Sequence, residues 1–132
     1  MAVVPYKMDF IPTNVVGGED TMILTWANMA FTGGVGDIGQ VAVFPTWADC
    51  SFQFVAAQGG TFGAGGQVIV EGSNDSVNFE TLNDTFGVPL SYSVAALRQC
   101  AEHAQNMRPR VPAGDATTAI NVIALFRRQP SH

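Results

Sequence analysis

The chain has 132 residues, the size of one domain, and is 47% hydrophobic but only 13% charged. A net charge of −5 with six basic residues argues against a nucleic-acid partner, whose phosphates require a basic surface. Two cysteines make neither a disulfide framework nor a closed four-ligand zinc site; no apolar run reaches the ~18 residues of a membrane helix, and no basic-then-apolar leader opens the chain. The expected setting is a cytoplasm, with no membrane partner. Low charge with many apolar side chains fits a compact β domain, or a surface partly covered by neighbours in an assembly.

MAVVPYKMDFIP sets apolar side chains between Pro5 and Pro12. Proline fixes φ and disfavours helix before it, which predicts an extended N-terminal arm over residues 1–12 and a single β-sandwich domain over 13–132. Val3, Val4, Tyr6, Phe10 and Ile11 are too apolar for a free tail. The arm either anchors on a neighbouring subunit or forms the first strand of the domain.

TMILTWANM, residues 21–29, predicts a strand. Met22, Leu24 and Trp26 share one face and Ile23 and Ala27 the other, so burial on both faces is expected. After the glycine-rich GGVGDIG comes QVAVF, a short strand stopped at Pro45. CSFQFVA alternates with period 2: Cys50, Phe52, Phe54 and Ala56 one way, Ser51 and Gln53 the other. GGTFGAGG links to the β-branched strand QVIVEG, SNDSVN is turn chemistry, and NFETL returns as its partner. SVAALRQCAEHA, residues 93–104, is the one stretch with helical propensity, room for one or two turns. NMRPRV predicts an edge strand, because Pro109 cannot donate to a ladder. TTAINVIALF is the last strand. About eight short strands with at most one short helix predict an all-β fold, an antiparallel sandwich or jelly roll.

Gly34, Gly36 and Gly39 fall on the GxGxxG spacing of a dinucleotide-binding turn. That turn must open a helix and be followed by an acidic residue about 20 positions on. Here QVAVFPTW follows, β-branched and aromatic, and Asp49 comes too early. The glycines therefore read as a flexible inter-strand loop. GGTFGAGG lacks the Gly-Lys-Ser/Thr ending of a phosphate loop. His103 and His132 are the two histidines, and nothing in the sequence orients Cys50 or Cys100 toward His103 as a nucleophile pair. The cysteines read as small buried thiols. Asp75, Glu80 and Asp84 offer hard oxygen ligands around one hairpin, yet read as solvated turn residues rather than a calcium site. No catalytic, cofactor-binding or metal-binding residue is expected, and the chain does not read as an enzyme.

VIVEGSNDSVNFETLND followed by NMRPRVPAGDATTAINVIALFRR resembles the small β-rich head proteins of tailed phages, over about half the chain, residues 67–128. The shared pattern is a strand ending in EGSND, a short aromatic return strand, an Arg-Pro-Arg strand, a Gly-Asp turn with Thr-Thr, and a final apolar strand closed by Arg-Arg. The resemblance implies a capsid decoration, or cement, protein with a jelly-roll-like sandwich, bound outside the major capsid shell as a homo-oligomer, dimer or trimer. Ser76 stands where a glycine often sits in such turns. EGSND with NFETL is also similar to discoidin-type sugar-binding sandwiches, so a carbohydrate-binding module or a tail or fibre component is the alternative. Trp26 and Trp47 are the aromatics that could face a sugar, although Trp26 lies in an apolar strand. Arg108 and Arg110 share the outward face of NMRPRV. They require carboxylates, either from a partner protein or from the chain itself, such as Asp115 or Glu102.

Overall fold

The structure is a computed structural model describing residues 2–11, 21–43, 49–102 and 104–127. Strands dominate it, and no helix occurs among the described residues. In chain order they are β1 (Val3–Val4), β2 (Tyr6–Ile11), β3 (Thr21–Thr32), β4 (Val35–Gly36), β5 (Ile38–Gly39), β6 (Ala42–Val43), β7 (Asp49–Ala56), β8 (Gln67–Ser73), β9 (Glu80–Thr81), β10 (Ser91–Tyr92), β11 (Ala96–Gln99), β12 (Asn106–Ala113) and β13 (Ala119–Arg127). They form two sheets. One has the order β1-β5-β12-β8-β10, with β6 also on β12 and β9 also on β8; the other has the order β11-β7-β13-β3-β2, with β4 on β3. The pairings are antiparallel except β1 with β5 and the Thr61–Thr118 bridge. The result is the expected all-β sandwich.

Its core follows from the period of two. Met22, Leu24 and Trp26 of β3, Phe52 and Phe54 of β7, and Val122, Ala124 and Phe126 of β13 project from one sheet. Val68 and Val70 of β8 and Met107 and Val111 of β12 meet them from the other. The large side chains Trp26, Phe52 and Phe54 are fully buried. Phe52 packs edge-on against Phe126 with ring centroids 6.2 Å apart.

Four expectations change. β3 is buried on one face only: Ile23 is half-buried and Ala27 exposed, because the outer face of its sheet has no covering layer there. The stretch 93–104 holds β11 instead of a helix; pairing of Ala96–Gln99 with Phe54–Ser51 overrides the propensity of Ala, Leu, Arg and Gln. NMRPRV is not an edge strand, since β12 has β8 on one side and β5 and β6 on the other. Val70, opposite Pro109, directs its own N–H and C=O to Leu90 and Leu82, away from β12. The nitrogen of Pro109 therefore faces the gap between β5 and β6, where no donor is needed. Finally, GGVGDIG is not a flexible loop. Gly33 and Gly34 make a left-handed turn (φ 60° and 78°), and the chain then returns as β4 on β3 and runs on as β5 against β12.

Glycine is required there by close approach. A Cβ on Gly36 would lie 1.5 Å from the Val111 carbonyl oxygen, and one on Gly39 would lie 2.6 Å from Pro109 Cδ and 2.8 Å from Trp26 Cδ1. Gly34 has open space around it and needs only its positive φ. Gly36→Ala should therefore cost more than about 3 kcal/mol, because backbone must move, whereas Gly34→Ala should cost only about 1–2 kcal/mol of left-handed strain. Urea denaturation of the two variants checks the order; equal losses would contradict it.

Candidate interaction surfaces

The N-terminal residues lie on the edges of both sheets. β1 pairs with β5, and β2 pairs along its length with β3, Tyr6 opposite Trp26 and Ile11 opposite Thr21. The Tyr6 ring packs edge-on against Trp26, centroids 5.8 Å apart. Val3 remains 65% exposed and Phe10 42% exposed, while Val4 and Tyr6 are half-buried against the core. The side chain of Ile11 lies outside the described residues, as do Pro12, Trp47, His103, Arg128 and His132.

Arg108 and Arg110 share the outer face of β12, as expected, while Met107, Pro109 and Val111 are buried. Their carboxylate is neither Asp115 nor Glu102. It is Glu71 of β8, directly opposite Arg108 in register and itself buried. Arg108 Nε donates to Glu71 Oε1 at 2.7 Å, and Arg110 Nε lies 3.5 Å from Glu71 Oε2. The Arg108 guanidinium also stacks 3.7 Å from the Phe79 ring centre. Asp115 instead accepts from Ala64 N–H and from the Thr117 N–H and hydroxyl, and Glu102 accepts from Asn83 N–H. Glu71 sits in EGSND, so only the cross-strand register could have revealed the pair.

A second surface was not legible in the sequence. Phe86 is 87% exposed, and Val88 and Leu97 are largely exposed beside it. With Thr85, Tyr92 and Arg98 they line a depression of roughly 740 Å³. The loop that displays Phe86 is tightly held. Buried Asp84 accepts from Phe86 N–H at 2.8 Å and from Val88 N–H at 2.9 Å, and its own N–H donates to the Val88 carbonyl at 2.8 Å. Gly87 supplies the positive φ of 78°. An apolar ring fixed outward in this way loses little freedom on docking. The Tyr92 ring packs on Phe54, and the Arg98 guanidinium sits 5.4 Å from the Tyr92 ring centre. Burial, then the Asp84 carboxylate, raises the Tyr92 hydroxyl above its usual range.

The remaining polar groups are bound in local turns. Asp75 accepts from the Ser73 hydroxyl and from Val77 and Asn78 N–H, and these bonds hold its carboxyl well below the usual range. Ser76 does occupy the left-handed conformation a glycine would favour, φ 65°. Asp75, Glu80 and Asp84 do not converge, and no group of three or more metal-ligating side chains occurs among the described residues. Cys50 and Cys100 are both free and buried, joined by a Cys100 N–H to Cys50 carbonyl bond of 3.0 Å. A side-chain hydrogen bond with the Cys100 thiol, then burial, pushes the Cys50 thiol far up, which keeps it protonated and a weak nucleophile. Trp26 is fully buried, its Nε1–H donating to the Gln40 carbonyl, so it offers no sugar platform.

No family model matches the sequence, and no curated protein is significantly similar to it. A likeness of fold to a solved structure does occur. The SPBc2 prophage-derived protein YomS superposes with a TM-score of 0.54 at 9% identity, over 86% of this chain and 98% of that one. The CBM22-1–GH10 modules of the Clostridium thermocellum xylanase 10B match with a TM-score of only 0.36 at 8% identity; this chain spans 25% of that protein's length. The likeness to YomS is one of fold.

Because Glu71 separates two guanidinium groups, Glu71→Gln should lower stability by about 1–3 kcal/mol, less than a fully buried pair would lose since Arg110 is partly solvated. Arg110→Gln should cost less than about 1 kcal/mol. Chemical denaturation of both variants is the check, and an unaffected Glu71→Gln variant would contradict the geometry.

Proposed function

We propose that this chain is a structural protein of a tailed-phage virion that binds the outside of the major capsid shell and stabilises it. The observation that carries the reading is the fold shared with a prophage-derived protein over 86% of this chain and 98% of that one. The strand and turn pattern of residues 67–128 supports it, as does a surface whose conspicuous feature is a rigidly presented apolar knob. Such a protein works by binding the assembled shell in preference to its free subunits, so the shell is stabilised by mass action. Identical contacts repeated around the shell add through multivalency. The docking group in this reading is Phe86, with Val88 and Leu97 around it and Arg98 at its flank; aromatic residues and arginine are the types enriched at interfaces. Arg110, paired with Glu71 but partly solvated, remains available for a further polar contact.

Mixing the purified protein with emptied heads of the phage that encodes it, followed by sedimentation and image reconstruction, tests the reading. Saturable density on the outer shell is expected, with heads that survive higher temperature. Phe86→Ser and Leu97→Ser should each weaken binding by more than about 2 kcal/mol while the protein's own melting temperature stays nearly unchanged. Density on the tail or fibres, or no association with heads, would overturn the capsid assignment in favour of a tail component or a sugar-binding module.

A further inference from the structure

The edge of the second sheet formed by β2 is built to pair with itself. Hydrogen-bond direction can be followed strand by strand. Cys100 N–H bonds the Cys50 carbonyl, so even-numbered residues of β7 face β11 and odd-numbered ones face β13. Carried through the register, Leu24 and Trp26 of β3 face β13, while Ile23 and Thr25 face β2. Lys7 and Asp9 therefore spend their backbone groups on β3, and the N–H and C=O of Met8 and Phe10 point away from the sheet. The Tyr6 N–H, which donates to Gln40 Oε1 instead of to β3, has the same outward direction.

The opposite edge is managed differently. The outward carbonyl of Leu97 in β11 is taken by Arg98 Nη1 at 2.8 Å, and that of Gln99 by Thr85 N–H at 3.2 Å. No such cover occurs on Met8 or Phe10 among the described residues. Their side chains, moreover, lie on the core-facing side, opposite Leu24 and Met22, yet stay 38% and 42% exposed. Half a hydrophobic layer ends in solvent there.

The sequence of the edge, Tyr6-Lys7-Met8-Asp9-Phe10, is self-complementary about Met8. If a second β2 runs antiparallel with Met8 opposite Met8, Lys7 meets Asp9 of the second copy, and Asp9 meets its Lys7. The aromatic positions then also face one another. Met8 becomes a hydrogen-bonded pair, and the charged residues fall on the non-hydrogen-bonded positions, where opposed side chains approach most closely. A strand that carried Lys at both charged positions would repel its copy; here each Lys7 is given an Asp9. Within one chain the same two groups lie 3.9 Å apart and largely exposed, a pairing that contributes little.

We propose that β2 joins a second copy of this chain across a two-fold axis at Met8, making one continuous sheet from two. The pairing stands apart from the capsid assignment and holds whichever surface the protein occupies. It is isologous, as two-fold interfaces are. Analytical ultracentrifugation of the full chain tests it. The wild type should show a reversible monomer–dimer equilibrium. Lys7→Asp and Asp9→Lys should each weaken the dimer by about ten-fold or more, since each places like charges opposite one another. An equimolar mixture of the two variants should recover a dimer, because an edge with two acidic side chains then meets an edge with two basic ones. Met8→Pro removes an outward-facing donor and a side chain at the margin of the core but no bond to β3, and should yield a folded monomer by circular dichroism and sedimentation. A wild type that remains monomeric would overturn the proposal. So would a dimer indifferent to both charge reversals, or a variant mixture that fails to associate. If Met8→Pro fails to fold, the charge-reversal mixture decides alone.

Discussion

One buried aspartate, Asp37, ties the two sheets and the N-terminal strand together. Its carboxylate accepts from Ala30 N–H of β3 at 2.9 Å and from Ala2 N–H at 3.2 Å. Its own N–H donates to the Ala30 carbonyl at 2.9 Å, and its carbonyl accepts from Val111 N–H of β12 at 3.0 Å. A single residue between β4 and β5 thus satisfies backbone groups from both layers and from the chain's beginning. The glycines around it make this possible. Gly36 and Gly39 bring β4 and β5 into contact with β12, which no larger residue would allow. Next to it, the Trp26 indole closes the same corner by donating to Gln40.

The same device recurs at smaller scale. Asp75, Asp84 and Asp115 each satisfy the N–H groups of a turn with a carboxylate oxygen. Much of the chain's acid is thereby spent on holding loops rather than on display. Glu71 is spent likewise, on two arginines. What is offered to partners is rigid geometry: an apolar knob at Phe86 and, among the described residues, the uncovered backbone of Met8 and Phe10 on the edge of β2. A surface of this kind suits a protein that binds by shape and repetition.

Much of the fold was legible because alternation writes the buried face directly into the sequence. Cys50, Phe52 and Phe54 fall inward as the period requires, as do Met22, Leu24 and Trp26, whereas Ala56, expected with the first three, is exposed at the strand end and Ala57 is buried. Where reading failed, tertiary pairing had outweighed a local signal. The helix formers of residues 96–99 became a strand because β7 offered a ladder. Pro109 marks an interior strand at a place where two short neighbours leave a gap. Of the glycines spaced as in a nucleotide fingerprint, Gly36 and Gly39 serve close packing and Gly34 a left-handed turn. The surfaces were less legible: alternation marks Phe52 as buried, but no periodic pattern around Phe86 says which way it points. Arg108 and Arg110 were visible as a pair, but Glu71 was 37 positions from Arg108 and became its partner only through register.

Hydrogen exchange at the Asp37 junction tests most directly whether residues 2–11 belong to the sandwich. The amides of Ala30, Ile38 and Gln40, which donate to the Asp37 carboxylate, the Ala2 carbonyl and the Val4 carbonyl, should exchange far more slowly than in a free chain. Asp37→Ala should bring all three toward free-chain rates while the amides of β7 and β13 stay protected. Free-chain exchange at Ile38 and Gln40 in the wild type, or protection at Ala30 that survives Asp37→Ala, would contradict the role assigned to this residue.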